Sequence, residues 1–205
     1  MKVILINGSP RKDSNTELAL KEVAKSLNEE GIETEIVNLK NDVKGCMACN
    51  TCSKLGKCVI DDVVNVVAEK FKNADGIVVG SPTYYASTNG TVISFLDRLF
   101  YSANYDMSMK VGAAVCTARR AGTDTNFDVI NKYFTISNMV VVGSQYWNNA
   151  FGRLPGEAIK DEEGMQTMRH LGKNMAFIVK CINDGKEKYK INFTEEHKST
   201  NFIRM

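Results

Sequence analysis

Two stretches of this chain carry side chains whose types and spacing could do chemistry. GSPRKDSNT, residues 8–16, gathers Gly8, the hydroxyl and amide groups of Ser9, Ser14, Asn15 and Thr16, and the guanidinium of Arg11. If a helix starts at its end, backbone N–H groups, hydroxyl donors and the positive end of a helix dipole converge there, as a phosphate requires. Helix capping alone explains Ser14 and Glu17, but not Ser9, Arg11 and Thr16 as well. The stretch lacks the Gly-Lys-Ser/Thr ending of a P-loop and the Gly-X-Gly-X-X-Gly dinucleotide pattern. It is not a Cys-X5-Arg phosphatase loop either.

The second stretch, CMACNTCSKLGKC at 46–58, holds four of the six cysteines. Cys46, Cys49, Cys52 and Cys58 follow a Cys-X2-Cys-X2-Cys-X5-Cys spacing. Three cysteines at X2 spacing can wrap one corner of an iron–sulfur cubane, with the fourth supplied from a few residues on. Here the fourth comes after five residues, and Val59 stands where ferredoxins have proline. Zinc usually takes two separated Cys-X2-Cys arms. Reduced thiols or a partial disulfide are the remaining readings. Cys116 and Cys181 fall in an expected strand and an expected helix, and are expected to be buried and uninvolved. No acid–base pair stands out. His170 sits beside the apolar stripe of the last expected helix and His197 in a polar tail, as surface or packing residues.

Composition narrows the partners. Lys+Arg number 26 against 24 Asp+Glu, a formal net charge of +2, too even for the basic excess that nucleic acid or an anionic membrane demands. No apolar run approaches the ~20 residues of a membrane span. MKVILINGSP is too short an apolar run for a signal peptide and lacks its cleavage site. The expectation is a cytoplasmic protein with no nucleic-acid or membrane partner, whose thiols are kept reduced.

The elements that must position these stretches can be read from hydrophobic periodicity. VILIN (3–7), TEIVNL (34–39), GIVVG (76–80), VGAAVC (111–116) and MVVVG (139–143) read as strands covered on both faces. Helical stripes lie between and after them: Leu20, Val23, Ala24 and Leu27 behind a Ser14–Glu17 capping box; Val63, Val64, Val67, Ala68 and Phe71; Val92, Phe95, Leu96 and Leu99; Phe127, Ile130 and Phe134; and Met165, Met168, Leu171, Met175, Ile178 and Ile182. Five strands alternating with five helices predict a doubly wound α/β fold, a five-stranded parallel sheet with helices on both faces. The domain is expected over 1–185, and the polar extension 186–205 is left without an element. Ligands of such sheets bind outside the carboxyl ends of the strands.

Gly-Ser-Pro-Arg-X-X-Ser-Asn-Thr after a first strand resembles the flavin phosphate loop of the NADPH-dependent FMN reductase family, which has the flavodoxin-like fold. GSPTYY (80–85), expected as the loop after the third strand, is similar to the segment that relatives place against the isoalloxazine ring. Pro82 holds Ser81 extended, while Thr83, Tyr84 and Tyr85 offer N–H groups and aromatic surface to a flat ring. The loop from Cys116 to Gly122 is the third match. Resemblance implies that Thr117, Arg119, Arg120 and Gly122 line the flavin's other side, with one arginine near the ring or a substrate. The likeness spans residues 1–182, including WNN (147–149) and DEEG (161–164).

The resemblance implies bound FMN, with NAD(P)H or another donor reducing it. The acceptor would be a quinone, an azo or nitro compound, free flavin or a redox protein. A flavodoxin-like electron carrier or a redox sensor is the alternative. The four-cysteine motif is similar to that of iron–sulfur flavoproteins, a branch carrying a [4Fe–4S] cluster, although related reductases share Gly56-Lys-Cys58-Val-Ile-Asp-Asp62 without a demonstrated cluster. A homodimer or homotetramer is implied, with flavin sites near the subunit contact. Tyr146, Trp147 and Phe151 in SQYWNNAFGRLPG (144–156) have the aromatic density favoured at interfaces.

Overall fold

The computed structural model describes residues 1–190 together with 195, 196, 198 and 200. Along the chain come β1 (Lys2–Asn7), α1 (Asn15–Glu29), β2 (Glu33–Asn38), α2 (Cys52–Leu55), α3 (Val63–Lys72), β3 (Gly76–Tyr84), β4 (Ser87–Thr88) and α4 (Gly90–Ser102). After these come β5 (Val111–Ala118), α5 (Thr123–Ile136), β6 (Val140–Val141), β7 (Asn149–Phe151), a 3₁₀ turn (Glu157–Lys160) and α6 (Glu162–Lys188). The sheet runs β2-β1-β3-β5-β6, and those neighbours are all parallel. With β6 as fifth strand this is the flavodoxin-like order, whose switch point lies between β1 and β3.

Alternation along β1 divides the core. Val3 and Leu5 join Leu20, Val23 and Leu27 of α1 and Met165, Met168, Leu171 and Met175 of α6. Ile4 and Ile6 face Val64, Val67 and Phe71 of α3, Phe95, Leu96 and Leu99 of α4, and Ile130 and Phe134 of α5. β1, β3 and β5 are thus buried on both faces, at roughly 1.5–3 kcal/mol for each large apolar side chain removed from water. The edge strands β2 and β6 are only half-buried, contrary to the expectation, because each has a neighbour on one side alone.

Two further expectations about the sheet change. The run 139–143 forms only the two-residue β6, and a separate β7 pairs with the far end of β5, Cys116–Ala118 against Asn149–Phe151. Between them the chain leaves the sheet, because Ser144 Oγ donates to Asn148 Oδ1 (2.7 Å) in a local turn that replaces ladder hydrogen bonds. Residues 80–85 are also not a simple loop. β3 continues through Tyr84 and folds back antiparallel onto β4, Thr83 opposite Thr88. Tyr85 and Ala86 make the turn at φ 49° and 57°, the paired left-handed conformation of a tight hairpin.

The last helix reaches Lys188. His170 is exposed on it, and His197 lies outside the described residues. Cys116 is buried as expected, but Cys181 is exposed, because it falls off the Met165–Met175 stripe onto the solvent side of α6. Among the described residues, no helix is long and apolar enough to cross a membrane.

Candidate functional site

The carboxyl edge of the sheet, where β1, β3 and β5 end, holds a cavity of about 360 Å³. One end of it is built by the turn from β1 into α1. Gly8 passes so close to β3 that its N–H donates to Gly80 O (2.9 Å), and a Cβ there would run into Val92 and Gly80 O. Asn89 Nδ2 donates to Gly8 O (2.7 Å), and Ser9 N–H donates to Asn7 Oδ1 (3.1 Å). Ser14 is the N-cap of α1, its Oγ accepting from Glu17 N (3.1 Å). The N–H groups of Asn15 and Thr16, in the first turn, have no intrahelical partner. Arg11 stands exposed at the rim.

The walls come from β3 and β5. Thr16 and Thr117 share a buried hydroxyl–hydroxyl hydrogen bond of 2.6 Å, which ties helix α1 to the end of β5. Asn126 Nδ2 donates to Thr83 Oγ1 (3.0 Å), and Thr88 Oγ1 donates to Asn126 Oδ1 (2.8 Å), fixing the β3–β4 hairpin over α5. The fourth side follows β7. Gly152 lies where a Cβ would come within 2.7 Å of Asn15 Nδ2, and Asn15 Oδ1 accepts from Ala158 N (3.0 Å).

Ser9, Arg11, Ser14, Asn15, Thr16, Pro82, Thr83, Tyr84, Thr117 and Arg119 therefore line one cavity. Tyr85, Arg120 and Gly122 do not line it. Tyr85 is fully exposed at the hairpin tip, and Arg120 is exposed. Gly122, at φ 86°, packs against Ala86 and supports the hairpin from behind. Ala118, inside the expected 116–122 loop, also lines the cavity, as do Gly152, Arg153 and Pro155, which escaped the sequence reading. The available signal was position: Gly152–Pro155 follow β7, a strand end hidden by the split of the fifth strand.

The cysteines come together at a second, smaller cavity over α4. Cys46, Cys49, Cys52 and Cys58 line it with Met47, Asn50, Val59, Ile60, Arg98, Tyr101 and Ser102. Cys58 is the fixed member. Its N–H donates to Asn65 Oδ1 (3.1 Å), its carbonyl accepts from Asn65 Nδ2 (3.0 Å), and its Sγ accepts from Arg98 Nε (3.2 Å). Arg98 is 1% exposed and grips Asp62 with both terminal nitrogens, at 2.6 and 2.9 Å. The Thr51 hydroxyl and N–H draw the exposed Cys49 thiol below its ordinary range, whereas burial pushes the Cys116 thiol up.

Three observations bear on what the thiols could hold. Ala48 and Asn50 flank Cys49 in the left-handed region, at φ 51° and 55°, strain of a kind that clusters at ligand sites. Ser102 Oγ is buried at the cavity without a partner. Among the described residues, no three His, Cys, Asp or Glu converge at single-ion spacing. Four cysteine thiols lining one cavity are the donor types that a [4Fe–4S] cluster takes, so their chemistry fits that group.

Comparison with known proteins agrees with this geometry. The chain is 38% identical to an iron–sulfur flavoprotein of Methanocaldococcus jannaschii, covering 89% of this chain and 99% of that one. It is 33% identical to an iron–sulfur flavoprotein of Methanosarcina thermophila, covering 92% and 100%. Among solved structures, RosB with bound 8-demethyl-8-formylriboflavin-5'-phosphate superposes with a TM-score of 0.70 at 15% identity, covering 100% of this chain and 96% of that chain. A flavodoxin from the domain Archaea superposes at 0.61 and 19% identity, covering 88% and 99%. Residues 1–153 match the family described as NADPH-dependent FMN reductase. With its fold, its relatives and three-quarters of its length in agreement, the chain belongs to the NADPH-dependent FMN reductase family, on the side of the iron–sulfur flavoproteins.

Proposed function

We propose that this flavoprotein oxidoreductase binds FMN in the carboxyl-edge cavity and a [4Fe–4S] cluster on Cys46, Cys49, Cys52 and Cys58. It would pass electrons from NAD(P)H or another donor to a quinone, a flavin, an azo or nitro compound, or a redox protein. The observation carrying this reading is the convergence of Ser9, Arg11 and the α1 N-terminus with Pro82–Tyr84 and Thr117–Arg119 around one cavity.

When bound, FMN supplies hydride and single-electron chemistry that protein side chains do not. The chain's own part is binding and orientation. Arg11, Ser9 and the free N–H groups of Asn15 and Thr16 offer donors to a phosphate dianion, and the α1 dipole favours its charge. The Thr16–Thr117 pair closes the floor against water. The Asn126-braced hairpin presents Thr83 and Tyr84 as a wall that needs no rearrangement. Arg119 and Arg153 at the mouth favour anionic reactants such as a nicotinamide dinucleotide.

The two sites are joined by α4. Its N-cap Asn89 holds Gly8 of the phosphate turn, and Arg98 touches Cys58. Eight helical steps lead from Gly90 to Arg98, roughly 12 Å along the axis.

The proposal includes a homodimer or homotetramer working where thiols are kept reduced. Tyr146 and Trp147 stack edge to face at 5.0 Å and are both more than half exposed, as anchors awaiting a second surface would be. Light scattering at micromolar concentration tests this, and a monomeric mass contradicts it. Steady-state oxidation of NADPH and NADH against a panel of quinones tests the enzymatic reading. Turnover with a small acceptor supports it; reduction only by a protein partner would make the chain an electron carrier.

A further inference from the structure

We propose that Arg98 is a positioning residue that sets the reduction potential of the group held by the four cysteines. This rests on the reading of those cysteines as cluster ligands. Arg98 is the largest fully buried side chain among the described residues, and a buried guanidinium persists only when its donors are spent. Here they are all directed. Two nitrogens fork onto the Asp62 carboxylate, and the same two reach the carbonyls of Lys44 (3.3 Å) and Ile60 (3.0 Å), on either side of the cysteine stretch. The remaining donor, Nε–H, points at Cys58 Sγ (3.2 Å).

That arrangement does two things. The carbonyl contacts fix where the stretch begins and ends, while Asn65 holds the Cys58 backbone. The fork on Asp62 leaves Nε no freedom to turn away from the sulfur. A hydrogen bond and a positive charge at a ligand sulfur stabilise the more negative, reduced form of a cluster, and so raise its potential. A guanidinium stays charged at every working pH, so the effect is constant. The adjacent Asp97 is exposed and accepts from Tyr133. It does not contact Arg98, so Asp62 is the partner that aims Nε.

The test uses anaerobically reconstituted full-length protein, with iron and sulfide measured first. EPR-monitored redox titration is then run on wild type, Arg98→Lys and Arg98→Met. Arg98→Met should lower the potential enough that the reduced-to-oxidised ratio at fixed poise falls about tenfold, about 59 mV for a one-electron couple. Arg98→Lys, which keeps charge without the fork, should fall between. FMN affinity should stay at the wild-type value, reporting an intact fold. A second readout needs no variant: wild type labelled with ¹⁵N-guanidino arginine should show a nitrogen coupling to the reduced cluster by pulsed EPR. Loaded protein with no coupling, or loaded variants with unmoved potential, overturns the role of Arg98 alone. Wild type that takes up no iron overturns the cluster reading on which it rests.

Discussion

The turn 8–16 and the stretch 46–58 leave the same edge of the sheet from neighbouring strands, yet the chain builds them in opposite ways. In the first, Gly8, Ser9, Ser14 and Thr16 are buried, and each is tied to another element or to the cap of α1. In the second, no residue from Cys46 to Cys58 is buried. Apart from the α4 and α3 side chains that hold Cys58 and the Cys52 thiol that donates to Tyr101 O of α4 (3.9 Å), its geometry rests on local turns and two left-handed non-glycine residues. A site for a phosphate can be assembled from the protein's own dipoles, so it folds complete. A site for a metal–sulfur group derives much of its order from the group, because thiol ligands are organised by metal bonds rather than hydrogen bonds.

The sharpest way to break the comparison is to disable each region and read the other. Arg11→Ala with Ser9→Ala should weaken FMN binding by about 10²–10⁴-fold, given roughly 1.5–3 kcal/mol per charge-assisted hydrogen bond, with iron content unchanged. Fluorescence titration of FMN measures it, and normal affinity would refute the phosphate assignment. Removing Arg98 should cost about 3 kcal/mol in denaturant unfolding, the low end for a broken buried ion pair because Asp62 keeps some solvent. A loss under about 1 kcal/mol would mean the pair is not the anchor described.

Asn65→Ala strips Cys58 of both backbone partners and should cost about 1–2 kcal/mol, together with slower cluster reconstitution. In cluster-free protein, Cys49 should be alkylated from a lower pH than an ordinary thiol. Its lowered pKa puts thiolate into solution earlier as pH rises. Cys116, raised by burial, should stay unmodified until unfolding. Peptide mapping across pH separates them, and equal rates would contradict both directions. Ser14→Ala is the mildest change, about 1 kcal/mol from a lost N-cap.

The same contrast explains what the sequence made legible. Strands β1, β3 and β5 and the long helices follow from continuous Val/Ile runs and 3.6-residue stripes, because burial leaves little choice of residue. The half-buried edge strand β2 showed only through Ile36 and Val37. Ser14 and Glu17 announce the start of α1 by their own hydrogen bond. The break between β6 and β7 depends on a Ser144–Asn148 side-chain bond that no periodicity encodes, and with it went Gly152, Arg153 and Pro155. The β3–β4 hairpin was hidden because Tyr85 and Ala86 are not residues that normally mark a left-handed turn. Arg98 sits inside the stripe Val92–Leu99 and reads as an ordinary helical charge. Its burial is created by the cysteine stretch folding over it, a contact between residues 40 apart.

The central claim is that one chain builds two cofactor sites on one sheet edge, and the most direct measurement is the flavin, iron and sulfide content of anaerobically purified, reconstituted protein. The account predicts one FMN per chain with about four irons and four sulfides, as expected for a single cubane. Protein that stays colourless and refuses added FMN, or that holds flavin but no iron after reconstitution, would contradict it.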